Sequence, residues 1–425
     1  MKTNTETKFK QTEMKTVDLN NEILFEFKNG LWESKNDRDS VNAIVIRGTN
    51  FSEMGDIKGQ LLNIKVENKE LENKRLTFGD ILIERSGGGP KQPVGRVLFF
   101  DINDDKNIYS FSNFVTRLRI LQKDILMPRY VFYNLLHFYK FSIGSNFQHG
   151  STGIRNLDFK KYKSDVRIKI IDISEQKKIA GVLSKIQEAV ENQRKIIEKL
   201  EELKKSTMDK LFKNGLYGKE TKQTEIGEIP YDWEVVRLGD VCDTTSGGTP
   251  YRNISKYFGG NIPWVKSGEL KDYDILDTEE KISEEGLKNS SAKILEKGTL
   301  LVAMYGATVG KTGILGIKAA TNQAICAILP KNSKTVFNKF IQYFLIKNRN
   351  FLIRERYGGA QPNISQQVIK NLSIPLPPLE EQKKIAEILS KIDNMKEEAE
   401  KKLDYLNEFF NSALDLLITG KVRLN

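Results

Sequence analysis

One segment of this chain occurs twice, and that repetition limits the folds that the chain can adopt. Glu175–Ala180 reads Glu-Gln-Lys-Lys-Ile-Ala and returns as Glu381–Ala386, and both copies run on to the same Leu-Ser-Lys-Ile. Roughly ten of twelve aligned positions are identical, far more than two unrelated helices would share. The whole chain is therefore predicted to be duplicated and pseudo-two-fold. Such a molecule suits a target with two halves, of which duplex DNA is the commonest.

Each copy opens a long heptad pattern. The first is predicted to begin at Ser174 and to stop at Asn214-Gly215, which gives about forty residues, or roughly 60 Å of helix. The second ends at Gly420. Because each helix alone would expose an apolar stripe, each needs a partner, and the nearest partner is the other copy. The apolar positions of the two stripes are Ile179, Leu183, Ile186, Val190, Ile197, Leu200 and Leu211, and Ile385, Leu389, Ile392, Leu403, Leu406, Phe410 and Leu417.

Composition narrows the class of protein. The chain has 425 residues, 67 Lys and Arg against 56 Asp and Glu, and a net charge of +11. This fits an ordinary basic protein or one whose basic face is local and binds a polyanion. The sequence has two cysteines, Cys242 and Cys326, and two histidines, His137 and His149. This scarcity argues against a disulfide framework, a His-ligated metal and a His general base. With no long apolar run and a polar start, we expect a cytoplasmic protein.

Between the helices, strand-like runs and turn residues predict two α+β units, here called the first head (22–165) and the second head (222–375). A polar tail is predicted for 1–21, a first spacer helix for 166–221 and a second for 376–425. The predicted strands are 43–46, 80–83, 94–100 and 114–121, then 262–265, 299–304, 313–317 and 324–329, and helices are predicted at 130–141 and 337–349.

Weaker echoes link the two heads. Gly79–Leu82 aligns with Gly298–Leu301, Gly95-Arg96 with Gly310-Lys311, and Ser112–Phe114 with Thr321–Gln323. Outside the helices the halves have diverged. Similar helices that carry dissimilar heads are expected if the two heads recognise different targets.

A glycine-rich loop at Gly306–Thr312 resembles a phosphate loop. That motif needs a Gly where this chain has Tyr305, and a helix start where this chain has a strand-like Gly-Ile-Leu-Gly. A Gly-rich hairpin loop explains it equally well, and so does a basic loop that approaches DNA phosphates through Lys311.

Catalytic motifs are missing from the sequence. Pro377-Pro378 lacks the polar and aromatic neighbours of a DNA methylase base clamp, and Asp80 with Glu84 lacks the following Lys of a metal nuclease. A serine hydrolase needs a general base, and the two distant histidines do not indicate one. Nothing in the chain indicates catalysis.

Polar loops recur in both heads. Arg, Lys, Asn and Gln read base edges in the major groove, and Ser, Thr and backbone N–H groups bind phosphates. Any one such loop is also explained as a polar turn, so the hypothesis rests on several loops per head. The candidate DNA-binding residues are Arg47, Asn50, Arg85, Lys91, Gln92 and Arg155 in the first head, and Thr249, Arg252, Lys266, Tyr305, Thr308, Lys311, Gln361 and Asn363 in the second. Asn113 and Asn322-Gln323 are expected to be structural.

The combination resembles the specificity (S) subunits of type I restriction-modification systems. The resemblance is carried by Ile374–Ala386, which reads Ile-Pro-Leu-Pro-Pro-Leu-Glu-Glu-Gln-Lys-Lys-Ile-Ala, and by its degenerate first copy at Ile170–Ala180, which lacks the prolines. Ile226–Pro230 and Leu416–Lys421 are also typical of the family.

The resemblance implies an α+β fold in which two target recognition domains, each a mixed or antiparallel sheet with helices, are joined by two long helices packed as an antiparallel coiled coil. It implies a non-catalytic subunit that reads a bipartite double-stranded DNA target, recruits two methylation (M) subunits and, through the complex, restriction (R) subunits. It implies no cofactor on this chain, because S-adenosylmethionine would be bound by the methylation subunit. Two other classes stay open: a duplicated coiled-coil scaffold without a DNA role, and a DNA methyltransferase-related protein.

Overall fold

The computed structural model describes residues 16–31, 40–88, 92–150, 154–354 and 363–424. The chain divides into two compact units, Met1–Arg194 together with Lys402–Asn425, and Lys195–Lys401. Both boundaries fall inside the long helices. Each unit therefore combines one head with part of each long helix.

The first unit holds short strands and three short helices ahead of its long-helix segments. Its strands are β1 (Thr16–Asp18), β2 (Phe25–Asn29), β3 (Ser40–Ile46), β4 (Leu62–Glu67), β5 (Ile81–Glu84), β6 (Ser86–Gly88), β7 (Val97–Phe99), β8 (Tyr109–Phe111), β9 (Val115–Ile120), β10 (Gln148–His149), β11 (Arg155–Leu157) and β12 (Arg167–Lys169). Its helices are α1 (Asn68–Glu72), α2 (Pro128–Phe141) and α3 (Phe159–Asp165), with 3₁₀ turns at Gly48–Asn50 and Ser145–Phe147.

The sheets of the first unit are small, and one of them is mixed. One has the order β2-β9-β5-β7 and another β4-β3-β8, in which β3 and β8 run parallel. Two more have the orders β10-β11-β6 and β1-β12. Strand β5 is buried along its length, as its apolar Ile81–Ile83 run predicts. Helix α2 begins at Pro128, where a missing N–H costs nothing, and packs on β7.

The second unit has a similar plan, and its described residues include a hairpin at Thr221–Pro230. Two long helices connect the heads: α4 (Ile173–Asn214) and α10 (Leu379–Thr419). The other strands are β13 (Thr221–Thr224), β14 (Gly227–Pro230), β15 (Glu234–Arg237), β16 (Cys242–Ser246), β17 (Phe258–Val265), β18 (Asp274–Ile275), β19 (Glu280–Ile282), β20 (Leu300–Ala303), β21 (Thr312–Leu315), β22 (Ala320–Thr321), β23 (Ile325–Pro330) and β24 (Ser373–Leu376). The other helices are α5 (Leu238–Val241), α6 (Glu284–Lys288), α7 (Asn338–Lys347), α8 (Arg349–Arg354) and α9 (Gln366–Asn371), with 3₁₀ turns at Ser255–Tyr257 and Ser267–Glu269.

Strand pairing shows how the two heads correspond. The second head has sheets ordered β16-β23-β20-β21-β18 and β19-β17-β22, the latter with β17 parallel to β22. Ile81 pairs with Leu118 and Phe99, and Leu300 pairs with Ile328 and Ile314. The core strands of the two heads therefore share one register.

One of the sequence alignments between the heads is wrong by a residue. Ser112 N donates to Ile46 O at 3.0 Å, and in the second head it is Asn322 N that donates to Val265 O at 3.0 Å. Ser112 thus corresponds to Asn322 rather than to Thr321, and Phe114 corresponds to Ala324. Short polar segments carry too little pattern to fix a register without the strand pairing.

The repeated segment contains a buried glutamine in each copy. The Gln176 side chain accepts from Met127 N at 2.9 Å and donates to the carbonyls of Ile125 and Ile171 at 2.8 and 2.9 Å. The Gln382 side chain accepts from Phe337 N and donates to Thr335 O and Pro377 O, all at 2.8 Å. These bonds join the start of each long helix to the segment that precedes α2 or α7. The missing prolines of the first copy leave this arrangement unchanged.

The neighbouring glutamate of each copy binds the chain that follows the other long helix. Glu175 accepts two hydrogen bonds of 2.6 Å from Arg423, just past the end of α10. Glu381 accepts from Leu216 N at 3.1 Å and from Lys219 Nζ at 3.2 Å, just past the end of α4. In each unit the identical Glu-Gln pair therefore fixes the start of one long helix, and its Glu binds the chain that follows the other long helix.

The long helices pack along their apolar stripes within each unit. In the second unit Lys396 pairs with Glu201 at 2.6 Å and Lys204 with Asp393 at 2.5 Å, so the helices run antiparallel there. The stripe residues fall into three clusters. Ile179, Leu183, Ile186 and Val190 share a core with Leu403, Leu406, Phe410 and Leu417; Ile197 and Leu200 contact Ile392; and Leu211, Ile385 and Leu389 join the core of the second head.

The predicted polar tail 1–21 overlaps ordered structure. Thr16–Asp18 forms β1, which pairs antiparallel with β12, and Leu19 is 1% exposed. A three-residue strand has too little periodicity to show in the sequence. The part of the tail before residue 16 lies outside the described residues.

Candidate nucleic-acid interface

The candidate residues of the first head lie at one edge of its sheets. The last residues of β2 and β5 pair with the first residues of β9, since Asn29 lies opposite Thr116 and Glu84 opposite Val115. The ends of the parallel strands β3 and β8 are joined to the same place by the Ser112–Ile46 hydrogen bond. The segments that leave these strands therefore emerge together.

Arg47 stands at the end of β3 and is exposed. The next turn is closed by Asn50, whose Oδ1 accepts from Arg47 N at 3.0 Å and whose Nδ2 donates to Lys58 O and Gln60 O. Asn50 is only 3% exposed. The side-chain amide of Asn50 shapes this loop from inside, and its predicted contact with DNA stays a prediction.

Arg85, Gln92 and Arg155 come together around the β10-β11-β6 sheet. Arg85 leads into β6, donates to Asn29 Oδ1 at 2.9 Å and stacks on Phe159, with its guanidinium carbon 4.7 Å from the ring centroid. Arg155 lies opposite Gly88. A Cβ at Gly88 would stand 3.0 Å from Gln92 O, so that residue lies alongside. The first polar edge, as we name it, comprises Arg47, Arg85, Gln92 and Arg155.

A buried ion pair holds two loops of the first polar edge in place. The guanidinium of Arg96 donates to Glu84 at 2.9 and 2.5 Å and also to the carbonyls of Gly48 and Phe51. The hydrogen bonds to Glu84 raise the pKa of Arg96 despite its burial. The pair ties the Arg47 loop to the strand that precedes Arg85, so both loops are held in fixed positions.

The second head has an equivalent edge. Ser246 pairs with Cys326 and Ala303 with Ile325, so β16 and β20 end where β23 begins. Lys266 follows β17 and occupies the position of Arg47; its N–H donates to Glu269 Oε1 at 2.8 Å, as Arg47 N does to Asn50. The second polar edge, as we name it, comprises Thr249, Arg252, Lys266, Tyr305 and Thr308.

Acidic partners surround the cations of the second polar edge. Lys266 Nζ contacts Glu279 at 2.8 Å and Glu280 at 2.9 Å, and Arg252 also binds Glu280 at 2.5 Å. Hydrogen bonds from Arg252 and Lys266 lower the pKa of Glu280. The Arg252 guanidinium lies over Phe258 and Trp264. Two predicted contact residues are thus brought together on one carboxylate.

The loop from Tyr305 to Lys311 joins the antiparallel strands β20 and β21, so it is a hairpin connection and not a strand-to-helix phosphate loop. Thr308 donates to Ser267 O at 2.8 Å, which places this loop beside Lys266. Lys311 donates to Asp272 Oδ2 at 3.0 Å. Its amino group is therefore held on a carboxylate.

Three candidate residues remain. Asn363 is exposed and precedes Ile364, whose N–H donates to Met304 O at 2.7 Å, next to Tyr305. Lys91 and Gln361 lie outside the described residues.

The sequence interpretation missed some residues of these edges. Gln323, expected to be structural, is exposed and accepts a hydrogen bond from Thr249, whereas Asn322 caps its own turn through Ala324 N. His149 and Phe114 are 67% and 53% exposed at the first edge. Gln323 stands at a strand start, a pattern that sequence alone gives to turns, so only its exposure identifies it.

Comparison with known families decides the class. The family model described as "Type I restriction modification DNA specificity domain" matches residues 13–202 and 230–407, which is most of the chain and both of its halves. The chain belongs to the type I restriction-modification DNA specificity family. The predicted resemblance is confirmed, and the match favours a DNA-recognition subunit over the two alternative classes.

Two relatives are similar in sequence to this specificity subunit over most of its length. The type I restriction enzyme MjaVIII specificity subunit of Methanocaldococcus jannaschii is 32% identical over 322 residues, covering 73% of this chain and 74% of its own. The putative MjaX specificity subunit of the same organism is 27% identical over 435 residues and covers 99% and 97%.

Solved structures share the fold. The type I restriction-modification S subunit from M. genitalium matches with a TM-score of 0.61 and 17% identity over 96% of this chain and 97% of its own. This match confirms the predicted α+β class with two heads and long helices.

Among the described ranges, no group of three or more His, Cys, Asp and Glu side chains could hold a metal ion. No helix in the part of the chain that the structure describes is long and apolar enough to cross a membrane.

Proposed function

We propose that each polar edge reads one half of a bipartite DNA target, and that the first head spans 22–165 and the second 222–375. The observation that carries this proposal is that equivalent strand ends in the two heads present different side chains. The frame is shared, down to the capped turns after Arg47 and Lys266. Because base contacts give specificity, different side chains on one frame would read different half-sites.

The two edges would bind DNA with different electrostatics. Arg47 is exposed on the first edge. On the second, Lys266 and Arg252 share Glu280 and would exchange that carboxylate for a phosphate or base edge. An exchange of partners gains less free energy than a new ion pair. We therefore expect smaller losses on removing Lys266 than on removing Arg47.

The chain would act through partner subunits. A duplicated chain offers two equivalent surfaces, which supports one methylation subunit on each half and two in the complex, with restriction subunits joining through it. The name "specificity subunit" borne by the relatives supports this assignment. S-adenosylmethionine would be bound by the methylation subunits and not by this chain, which would be non-catalytic.

The test uses the complex reconstituted with its methylation subunits. Arg85→Ala with Arg155→Ala should relax recognition of one half-site, and Lys266→Ala with Thr249→Ala should relax recognition of the other, as read by sequencing of methylated DNA. Lys318→Ala, at an exposed side chain paired with Glu296, is the matched control and should change neither. The isolated chain with S-adenosylmethionine should leave DNA unmodified. Relaxation of both half-sites by either pair, or methyl transfer by the chain alone, would contradict the proposal.

A further inference from the structure

The first polar edge carries one large apolar side chain. Phe114 lies in the turn between β8 and β9 and is 53% exposed. Its carbonyl accepts from Arg85 N at 2.8 Å, and two residues earlier Ser112 N donates to Ile46 O, next to Arg47. The ring therefore projects from a turn that is fastened on both sides to residues of the first polar edge.

The fold does not need an aromatic ring at this turn. In the second head the equivalent residue is Ala324, which is 4% exposed and whose carbonyl accepts from Met304 N at 2.8 Å. The backbone hydrogen bonds are the same in both heads with Ala or with Phe. The ring of Phe114 is thus an addition to a shared frame, placed where the two heads differ.

The surroundings of Phe114 indicate which kind of surface would cover it. The edge bears the arginines 47, 85 and 155, so its partner is a polyanion. A base pair in the major groove offers few apolar features, and the C5-methyl group of thymine is the one that phenylalanine contacts. Apolar contact with that methyl would remove part of the exposed ring from water.

We propose that Phe114 recognises a thymine in the half-site read by the first head, through contact with its C5-methyl group in the major groove. The proposal rests on the proposed function, since it requires that the first polar edge faces DNA. It adds a specificity-determining residue and the chemical group that this residue reads.

The experiment replaces single thymines of the first half-site by deoxyuridine, which removes only the methyl group. The half-site is first mapped by sequencing DNA methylated by the complete complex. For the wild-type complex, deoxyuridine at one position should weaken binding about fourfold, the factor expected from one buried methyl. Phe114→Ala should lose sensitivity to that replacement, and Phe114→Leu should keep most of it.

Folding is not an obstacle, because alanine already occupies the same turn in the second head. Lys318→Ala, the control of the proposed function, should keep the full deoxyuridine effect in the first half-site. Complex assembly without DNA should be the same for all variants.

Several results would overturn the inference. A first half-site without thymine would do so, as would wild-type binding that no deoxyuridine weakens, or a Phe114→Ala complex that keeps the full effect. Weaker binding by Phe114→Ala without any methyl effect would mean that the ring enters between base steps instead. If Arg85→Ala with Arg155→Ala still relaxes the first half-site in these cases, the proposed function stands and the inference about Phe114 alone fails.

Discussion

Gln176 and Gln382, at the same position of the two repeated segments, make the same three hydrogen bonds. Each side-chain oxygen accepts a backbone N–H ahead of a head helix, and each nitrogen donates to two carbonyls. Both side chains are fully buried. The identity of the repeats is thus explained by a junction that must be built twice.

Replacing either glutamine should destabilise its own unit. Gln382→Leu leaves Phe337 N–H and two carbonyls without this partner in a buried place, which should cost on the order of 3 kcal/mol. Gln176→Leu should cost a similar amount. Urea denaturation measures the loss, and Gln367→Leu, at an exposed side chain, should stay within about 0.5 kcal/mol of wild type. Equal stability of Gln382→Leu and Gln367→Leu would show that the junction is not needed.

A second prediction concerns acid stability around Asp272. This residue has a positive φ of 70°, and its side chain is 14% exposed. Burial alone would raise its pKa, but the hydrogen bond from Thr312 N and the charges of Arg349 and Lys311 outweigh burial and lower the pKa below that of a free aspartate. The carboxylate therefore contributes stability above the unfolded pKa of about 3.9, which is lost as the pH falls through the folded pKa.

Asp272→Asn should thus cost about 2–3 kcal/mol at pH 7, and the difference from wild type should shrink as the pH falls below about 4. The midpoints of urea denaturation, measured for both proteins between pH 3 and pH 7, show how this difference in stability changes. The control is Asp277→Asn, since the Asp277 side chain is 79% exposed. A loss that is independent of pH would indicate that the shape of the side chain matters and its charge does not.

A third prediction concerns the long helices, each of which contributes to both units. We expect them to set the unread gap between half-sites. Duplicating four residues near Glu191 adds about one turn, roughly 6 Å. Base pairs rise about 3.4 Å, so the gap should lengthen by about one or two base pairs while the half-sites stay the same. Methylation mapping gives the gap, and an active variant with the original gap would refute the role of the helices.

The sequence predicted the elements that have strong periodicity. The helix predicted from Ser174 runs from Ile173 to Asn214, and the strand predicted at 80–83 is β5, because a buried apolar run and a heptad stripe are visible locally. The sequence alone could not reveal strand β1 or show that Ala324 is the residue of the second head equivalent to Phe114. Both depend on pairing with distant residues, which a single short segment does not encode.

The sequence indicated the residue types of the candidate site but not how their side chains are arranged. Loops rich in Arg, Asn and Gln lie at corresponding strand ends of the two heads, and their contact with DNA stays a prediction. Whether a side chain faces outward, as Gln323 does, or closes its own loop, as Asn50 does, depends on tertiary hydrogen bonds. The ion pairs of Lys266 and Lys311 likewise require residues distant in sequence.

Exchange of one head shows whether the two heads read separate half-sites. Residues 222–375 would be replaced by the matching head of another specificity subunit, and the complex with its methylation subunits would be used to methylate genomic DNA. Sequencing of the modified bases should show one half of the bipartite motif changed and the other half intact. A change in both halves, or in neither, would contradict the account.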